Sequence, residues 1–263
     1  MIDFVDKPSY DVYDLRNLVE YLRGPDGCPW DREQTHASIR RNLLEEAYET
    51  AEAIDDDNTD NLIEELGDVL MQVIFHADIA TKADRFDLDT IADTTYRKLI
   101  RRHPHVFGGL KAKDGSESLV FWEDIKREEK SYDTTADAMR AVARSLPALW
   151  RAEKVQKKAA KVGFDWPDYN GALESLRAEL IELESAIQSG ANIEEELGDL
   201  LFSAVNLSRF FDIDPEQALG YASDKFITRF DKLETAAAAQ GRNLTDMALD
   251  DMEALYQQAK LEE

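Results

Sequence analysis

The sequence repeats one pattern of acidic and apolar residues about 130 positions apart. In the first half, a Glu-Glu-x-x-Glu sequence ends at Glu49 and a Glu-Leu-Gly-Asp sequence ends at Asp68. In the second half, a Glu-x-x-Glu sequence ends at Glu182, 133 residues after Glu49, and Glu-Leu-Gly-Asp recurs 131 residues after the first, ending at Asp199. A recurring pattern of this length indicates two copies of one structural unit. We therefore expect one fold to occur twice in this chain.

Each copy is predicted to be helical. Apolar residues recur three and four positions apart next to the acidic pairs, which is the spacing of one helix face. In the first half these are Leu62, Leu66, Val69, Leu70, Val73, Ile74 and Ala77, and in the second Leu197, Leu200, Leu201, Ala204, Val205 and Leu207. Alternation with period two, typical of strands, is nearly absent. We expect an all-α protein with one domain at residues 1–130, a polar linker at 130–139 and a second domain at 140–263.

The charge balance excludes some functions. The 263 residues include 31 Lys and Arg against 55 Asp and Glu, which gives a net charge of −24. A protein that binds a nucleic-acid polymer without sequence preference needs a basic surface, so no such partner is expected. No uncharged stretch approaches the ~20 residues of a membrane span, and no membrane partner is expected. A single cysteine, Cys28, and no apolar leader fit a cytoplasmic location.

The paired carboxylates indicate a metal site. Glu46 and Glu49 lie one helical turn apart, as do Glu65 and Asp68. If the two helices are antiparallel neighbours, four carboxylates converge, and a cation is needed to offset their repulsion. Hard oxygen ligands without Cys or His favour Mg²⁺ or Mn²⁺. The alternative for any single pair is a solvated acidic helix face.

Other catalytic sites fit the sequence less well. A di-iron carboxylate bundle needs Glu-x-x-His on two helices, but all four histidines lie in the first half. The chain has no phosphate-binding P-loop, no dinucleotide-binding glycine motif and no Gly-x-Ser-x-Gly nucleophile elbow. These absences leave a metal-activated water as the predicted nucleophile.

Several longer stretches resemble the MazG family. They are residues 27–31 (GCPWD), 34–36 (QTH), 43–49 (LLEEAYE), 101–107 (RRHPHVF), 145–149 (SLPAL) and 162–166 (VGFDW), and they follow the family's order over nearly the whole chain. The resemblance implies two tandem all-α domains whose helical bundles are completed by dimerisation, and hence a homodimer. It also implies Mg²⁺-dependent hydrolysis of nucleoside triphosphates at the α–β bond, giving a monophosphate and pyrophosphate. The role implied is removal of unwanted nucleotides (house-cleaning) or control of the nucleotide pool.

The resemblance also implies which residues form the site. The first copy is expected to be structural or auxiliary and the second catalytic, with Glu179 and Glu182 handling the attacking water. Substrate binding falls to Lys225, Arg229, Tyr256 and Lys260, with Tyr256 against the base. The metal ligands implied are Glu46, Glu49, Glu65 and Asp68 in the first copy, and Glu179, Glu182, Glu196 and Asp199 in the second.

The second copy departs from the family's pattern at three positions. Ala178 stands where the leading glutamate is expected, and Ser175 and Asn192 replace lysines that face phosphate. Losing two such cations weakens triphosphate binding if both are desolvated. The alternative function is therefore a non-catalytic dimeric helical module that binds nucleotides or a protein partner through degenerate sites. The sequence leaves open the preferred base and sugar, activity of the first copy and assembly beyond a dimer.

Overall fold

A computed structural model describes residues 6–130 and 132–261. Every regular element within these ranges is a helix, which confirms the all-α prediction. The chain separates into two compact units, and the division falls after Lys130. Below, the first unit is the part up to Lys130 and the second unit is the part from residue 132 onward. No helix among the described residues is both long and apolar enough to span a membrane.

The units contain thirteen α-helices across the described residues. Those of the first unit are α1 (Val12–Leu22), α2 (Pro29–Glu33), α3 (Arg40–Asp55), α4 (Thr59–Lys82), α5 (Leu88–Arg102), α6 (Pro104–Phe107) and α7 (Gly115–Lys130). Those of the second unit are α8 (Thr135–Arg140), α9 (Ala148–Ala160), α10 (Tyr169–Ser189), α11 (Ile193–Arg209), α12 (Pro215–Ala239) and α13 (Leu249–Leu261). A single 3-10 turn, Leu244–Asp246, precedes α13.

Short polar residues set the helix starts. The Asp11 side chain accepts hydrogen bonds from two backbone amides of α1, and the Asp11 amide donates to the Asp14 carboxylate. These reciprocal bonds form a capping box. Asn58 caps α4 and Asp168 caps α10 in the same way, through a side-chain oxygen that accepts from the first turn. The caps on α4 and α10 set the starts of two of the four helices that carry the acidic pairs, whereas α3 and α11 begin without a side-chain cap.

Each unit is built around one helical hairpin. Helices α3 and α4 pack along their length in the first unit, and α10 and α11 do so in the second. Only three residues separate the helices of each pair, so neighbouring helices run antiparallel. Both turns use the left-handed backbone region, at Asp57 (φ 51°) in the first and at Gly190 and Asn192 (φ 71° and 60°) in the second. The two turns thus have the same length but place their left-handed residues at different positions.

The core of the first unit lies between α1 and the second half of α4. Val19, Ile39, Ile74 and Phe75 are buried together there. Beside them Arg23 is buried too: its Nε donates to Asp78 Oδ2 at 2.6 Å, and its guanidinium lies 4.8 Å from the centre of the Phe75 ring. Lys82 also donates to Asp78, at 2.8 Å. A charged pair is therefore part of this core.

The predicted apolar faces of α4 and α11 are buried over only part of their length. Ile74 on α4 and Val205 on α11 are fully buried, in the second half of each helix. Leu66 on α4 and Leu201 on α11, closer to the acidic residues, are exposed within the chain. Helical periodicity identifies an apolar face, but not what covers it.

The stretch predicted as a linker is partly helical. Helix α8 occupies residues 135–140, and the Thr134 hydroxyl accepts a hydrogen bond from the Asp137 amide at its start. Helix α8 packs on α9, so this segment belongs to the second unit. The short helix lacks a long apolar face, which is why periodicity did not reveal it.

Candidate functional site

Three carboxylates meet between α10 and α11 of the second unit. Glu179 lies on α10, and Glu196 and Asp199 lie one turn apart on α11. One oxygen from each of the three lies within 4.8 Å of the other two. The three-residue spacing puts Glu196 and Asp199 on one face, and the tight hairpin turns that face toward Glu179. Glu182, one turn beyond Glu179, lies outside this set of three and is exposed.

The first unit has an equivalent group between α3 and α4. Glu46 and Glu49 on α3 and Glu65 on α4 each place an oxygen within 4.8 Å of the other two. Asp68 is the fourth predicted ligand and lies outside this set. The closest trio therefore differs between the units. It omits Asp68 in the first unit and Glu182 in the second.

The carboxylates of each unit interact electrostatically as sets of four. Partial burial raises the pKa of Glu179 above its ordinary value, and the negative charges of Glu182 and Asp199 raise it further. Partial burial likewise raises the pKa of Glu196, with the charge of Glu182 next in importance. The fourth carboxylate, Glu182, is thus close enough to act on both helices of the hairpin.

The same repulsion operates in the first unit. Partial burial raises the pKa of Glu46, and the charges of Asp68 and Glu49 add to it. Partial burial also raises the pKa of Glu65, followed by the charge of Glu49. Asp68 therefore belongs to the electrostatic cluster although it lies outside the closest trio.

The donor set suits a hard divalent cation. Both trios consist of carboxylate oxygens alone, with no His or Cys among them. Such ligands fit Mg²⁺ or Mn²⁺, and a cation removes the repulsion that raises the glutamate pKa values. Each unit therefore has a carboxylate trio that could hold one such ion.

The stabilising effect of Mg²⁺ is expected to grow between pH 5 and pH 7.5. In the folded chain the pKa values of four glutamates lie above 4.5: Glu46, Glu65, Glu179 and Glu196. Just above pH 4.5 the folded state therefore binds more protons than the unfolded state, so these groups contribute less stability as pH rises. Protons therefore compete with the cation more strongly at pH 5 than at pH 7.5. Thermal unfolding with EDTA and with Mg²⁺ should show a midpoint several degrees higher with Mg²⁺ at pH 7.5. Equal midpoints there contradict a metal site.

The predicted substrate-binding residues lie on α12 and α13. Lys225 and Arg229 are on α12, and Tyr256 and Lys260 are on α13. These two helices pack on each other, with the ring centres of Tyr256 and Phe226 5.7 Å apart, and α12 also packs on α9. The extensive contacts of α12 are thus with α9 and α13, rather than with the hairpin that carries the carboxylates.

In the first unit, the arginine that corresponds to Arg229 forms an ion pair with a glutamate. Arg102, which corresponds to Arg229 in the repeat, is buried and donates two hydrogen bonds to Glu129. These bonds hold the pKa of Glu129 below its ordinary value despite burial. Arg102 also lies over the ring of Trp122, at 5.5 Å. Its charge is already balanced, so this arginine is poorly placed to receive a phosphate.

The two positions that depart from the family's lysines have structural roles here. The Ser175 hydroxyl lies 3.4 Å from that of Ser203, between α10 and α11. Asn192 occupies the left-handed position immediately before α11. A serine in this helix contact supplies no positive charge toward the carboxylates.

Sequence reasoning missed a group of polar residues near the second site. Gln156 on α9 is buried, and Asn206 and Arg209 on α11 are partly buried beside it. The available signal was the presence of polar side chains on the apolar faces of both helices. Sequence reasoning also missed that His36 and His76 pair in the first unit, with their Nδ1 atoms 2.8 Å apart.

Comparison with known proteins gives a consistent result. The chain is 44% identical over 247 residues to the "Nucleoside triphosphate pyrophosphohydrolase/pyrophosphatase MazG" of Thermotoga maritima, covering 94% of each chain. It is 44% identical over 254 residues to the "Nucleoside triphosphate pyrophosphohydrolase" of Escherichia coli K12, covering 95% of this chain and 97% of the relative. The "Uncharacterized protein YabN" of Bacillus subtilis is 45% identical over 249 residues, which are 94% of this chain but 51% of that protein.

The MazG nucleotide pyrophosphohydrolase domain matches the chain twice, at residues 34–107 and 169–233. The first match contains α3 and α4, and the second contains α10 and α11. Tyr256 and Lys260 lie beyond the second match. Because the domain pattern covers more than half of the sequence and includes both carboxylate hairpins, the chain belongs to the MazG family.

Proposed function

We propose that this protein hydrolyses nucleoside triphosphates at the α–β bond, releasing a nucleoside monophosphate and pyrophosphate, with Mg²⁺ or Mn²⁺ as cofactor. The observation that carries the proposal is the trio Glu179, Glu196 and Asp199 on a hairpin within the second family match. The names of relatives that align over nearly the whole chain support the reaction. We assign catalysis to the second domain, at residues 140–263, and an auxiliary role to the first, at residues 1–130.

In this proposal, the residues of the second unit have different roles in metal binding, water activation and phosphate binding. Glu179, Glu196 and Asp199 would hold the divalent ion, with Glu182 as a further ligand or as the carboxylate that orients the attacking water. Such an ion supplies positive charge toward the phosphates and makes a water molecule more acidic. Glu182 is exposed, and its charge acts on both Glu179 and Glu196, so it can orient that water and accept its proton, a role in which Glu179 is the other candidate. Lys225 and Arg229 would offset the charge that develops on the pyrophosphate.

Homodimerisation is part of the proposal. Large apolar side chains are exposed near the carboxylates on α11 and along α12, among them Leu197, Leu201, Phe226 and Ile227. An apolar surface of this kind on a chain with net charge −24 is typical of a protein interface. We also place the protein in the cytoplasm, which its single cysteine supports.

Product analysis tests the reaction directly. The purified protein is mixed with ATP, GTP, CTP or UTP and Mg²⁺, and the nucleotides and phosphates are separated. We expect monophosphate and pyrophosphate in equal amounts, and no turnover with EDTA. Diphosphate and orthophosphate would instead mean that cleavage occurs at the other bond and that the proposed reaction is wrong.

The second candidate function is a non-catalytic module that binds nucleotides or a protein. The specific observation in its favour is the structural use of Ser175 and Asn192, which leaves two expected phosphate contacts without a cation. Absence of turnover with all four triphosphates, together with nucleotide binding, would favour this function.

A further inference from the structure

The middle of α12, which carries the predicted phosphate-binding residue Lys225, is exposed within the chain. The buried residues of α12 are Pro215 at its start, and Leu233 and Ala237 near its end. All residues from 217 to 228 are exposed. The direction of α12 within the second unit therefore depends on the contacts near its ends.

A hydrogen bond joins the start of α12 to α9. The indole Nε1 of Trp150, on α9, donates to both carboxylate oxygens of Asp214, at 2.8 and 2.9 Å. The same carboxylate caps α12, because its Oδ1 accepts from the backbone amides of Glu216 and Gln217 at 2.9 and 3.1 Å. An ionised acceptor makes such bonds stronger than those between neutral groups. One carboxylate thus holds both the first turn of α12 and the side of α9.

Helix α9 is a neighbour that α11 and α12 share. It packs on α11, where Gln156 Nε2 donates to the Phe202 carbonyl oxygen at 2.8 Å, and it also packs on α12. Helix α11 carries two of the clustered carboxylates, and α12 carries Lys225 and Arg229. The orientation of α12 on α9 therefore affects the distance from the carboxylates to both cations.

The length of α12 amplifies a change at its start. Lys225 and Arg229 follow Asp214 by 11 and 15 residues. At 1.5 Å per residue, they lie about 16 and 22 Å along the helix, where a tilt of about 5° about the start moves them by about 1.5 to 2 Å. A displacement of about 1 Å is enough to cost about 100-fold in rate at a well-ordered site. A small loss of orientation at Asp214 is therefore large at the cations.

The first unit lacks this link. By the repeat, Asp87 corresponds to Asp214, and α1 and α5 take the places of α9 and α12. Asp87 also caps its helix, but its side-chain hydrogen bonds are to the amide and hydroxyl of Thr90 within α5. A cavity of about 310 Å³ lies between α1 and the start of α5, with Arg16 and Asp87 among its lining residues. Across the described residues, the bond to the capping carboxylate is thus specific to the second unit.

We propose that the hydrogen bond from Trp150 to Asp214 orients α12, so that Lys225 and Arg229 reach the phosphates of the substrate. Trp150 is therefore a positioning residue of the second unit. The role of the two cations rests on the proposed function. The metal-binding carboxylates lie on α10 and α11, so loss of the Trp150–Asp214 bond should affect phosphate binding and leave the carboxylates in place.

Three substitutions test the bond by steady-state kinetics with saturating Mg²⁺. Trp150→Phe keeps an aromatic ring but removes the N–H donor, and we expect kcat/KM for the triphosphate to fall about 10-fold or more. Asp214→Ser keeps a capping oxygen but is too short to reach the indole, and should cause the same fall. Asp214→Asn keeps an oxygen for both partners and should retain kcat/KM within about threefold. Trp150→Phe together with Asp214→Ser should be no worse than either change alone.

Removal of the cations distinguishes positioning from a general loss of structure. In a protein that carries both Lys225→Ala and Arg229→Ala, adding Trp150→Phe should change kcat/KM less than about twofold, because no cation remains to be positioned. A further fall of about 10-fold there would overturn the proposal. Trp30→Phe is the matched control, since Trp30 is 62% exposed on α2 of the first unit, and it should leave kcat/KM within about twofold.

Binding of inorganic pyrophosphate separates this inference from the proposed function. Calorimetric titration of the full chain with pyrophosphate and Mg²⁺ needs no turnover, and Trp150→Phe should weaken the affinity about 10-fold. Such weakening in a protein that hydrolyses no triphosphate would support the positioning role and reject the reaction. Hydrolysis that Trp150→Phe and Asp214→Ser leave unchanged would overturn the positioning role and keep the reaction. Absence of both turnover and pyrophosphate binding would overturn both.

Discussion

Replacing Glu182 with glutamine is expected to lower kcat for triphosphate hydrolysis by at least ~10²-fold, because the amide cannot accept a proton from water. The same change removes a negative charge that raises the pKa values of Glu179 and Glu196. Steady-state kinetics with saturating Mg²⁺ measures the loss of turnover. Glu182→Ala should be at least as damaging, since it removes the side chain that orients the water.

Two further variants make the result specific. Glu184 is exposed two residues further along α10 and points to another side of the helix, so Glu184→Gln should leave kcat within about twofold. Glu49 corresponds to Glu182 in the first unit. If Glu49→Gln abolished turnover and Glu182→Gln did not, catalysis would belong to the first unit and the proposed assignment would be wrong.

Replacing Asp78 with alanine should destabilise the first unit by about 3 to 5 kcal/mol. The side chains of Arg23 and Asp78 are only 5% and 10% exposed, and Arg23 would keep its charge in the core without a counter-ion. Its remaining bonds to backbone carbonyls and its position over Phe75 compensate only in part. Urea unfolding followed by circular dichroism measures the loss. We expect a transition at lower urea that involves part of the helical signal, because the second unit is a separate compact unit.

An exposed ion pair provides the control. Asp93 and Arg97 are paired four residues apart on the surface of α5. Asp93→Ala should shift the unfolding midpoint very little, because solvent screens such pairs. Equal effects of Asp78→Ala and Asp93→Ala would show that burial of the Arg23 pair does not matter to stability.

The parts of the fold that follow from local sequence were predictable. The three-residue spacing of the carboxylates, the apolar periodicity of α4 and α11 and the repeat itself depend on residues close in sequence. They predict the helix class and put each acidic pair on one helix face, and the metal-site prediction was conditional on the two helices being antiparallel neighbours. The structure adds which three of the four carboxylates lie closest, since that depends on side-chain geometry across two helices.

The remaining features depend on residues distant in sequence. Arg23 meets Asp78 across 55 residues, and Gln156 meets Phe202 across 46. Neither contact leaves a periodic signal, so the buried ion pair of the first unit and the contact between α9 and α11 of the second could not be predicted. The position of Lys225 and Arg229 relative to the carboxylates likewise could not be predicted, because residue spacing describes a single helix and these two residues lie on a different helix from the carboxylates.

The hairpins also affect how the chain acquires its structure during synthesis. The most extensive helix contacts join consecutive helices, α3 with α4 and α10 with α11, across turns of three residues. Contacts between sequence neighbours close at little entropic cost, so helical proteins of this kind fold within microseconds to milliseconds. Translation proceeds at ~5–20 residues per second, so the first unit can fold on the ribosome before the second has emerged.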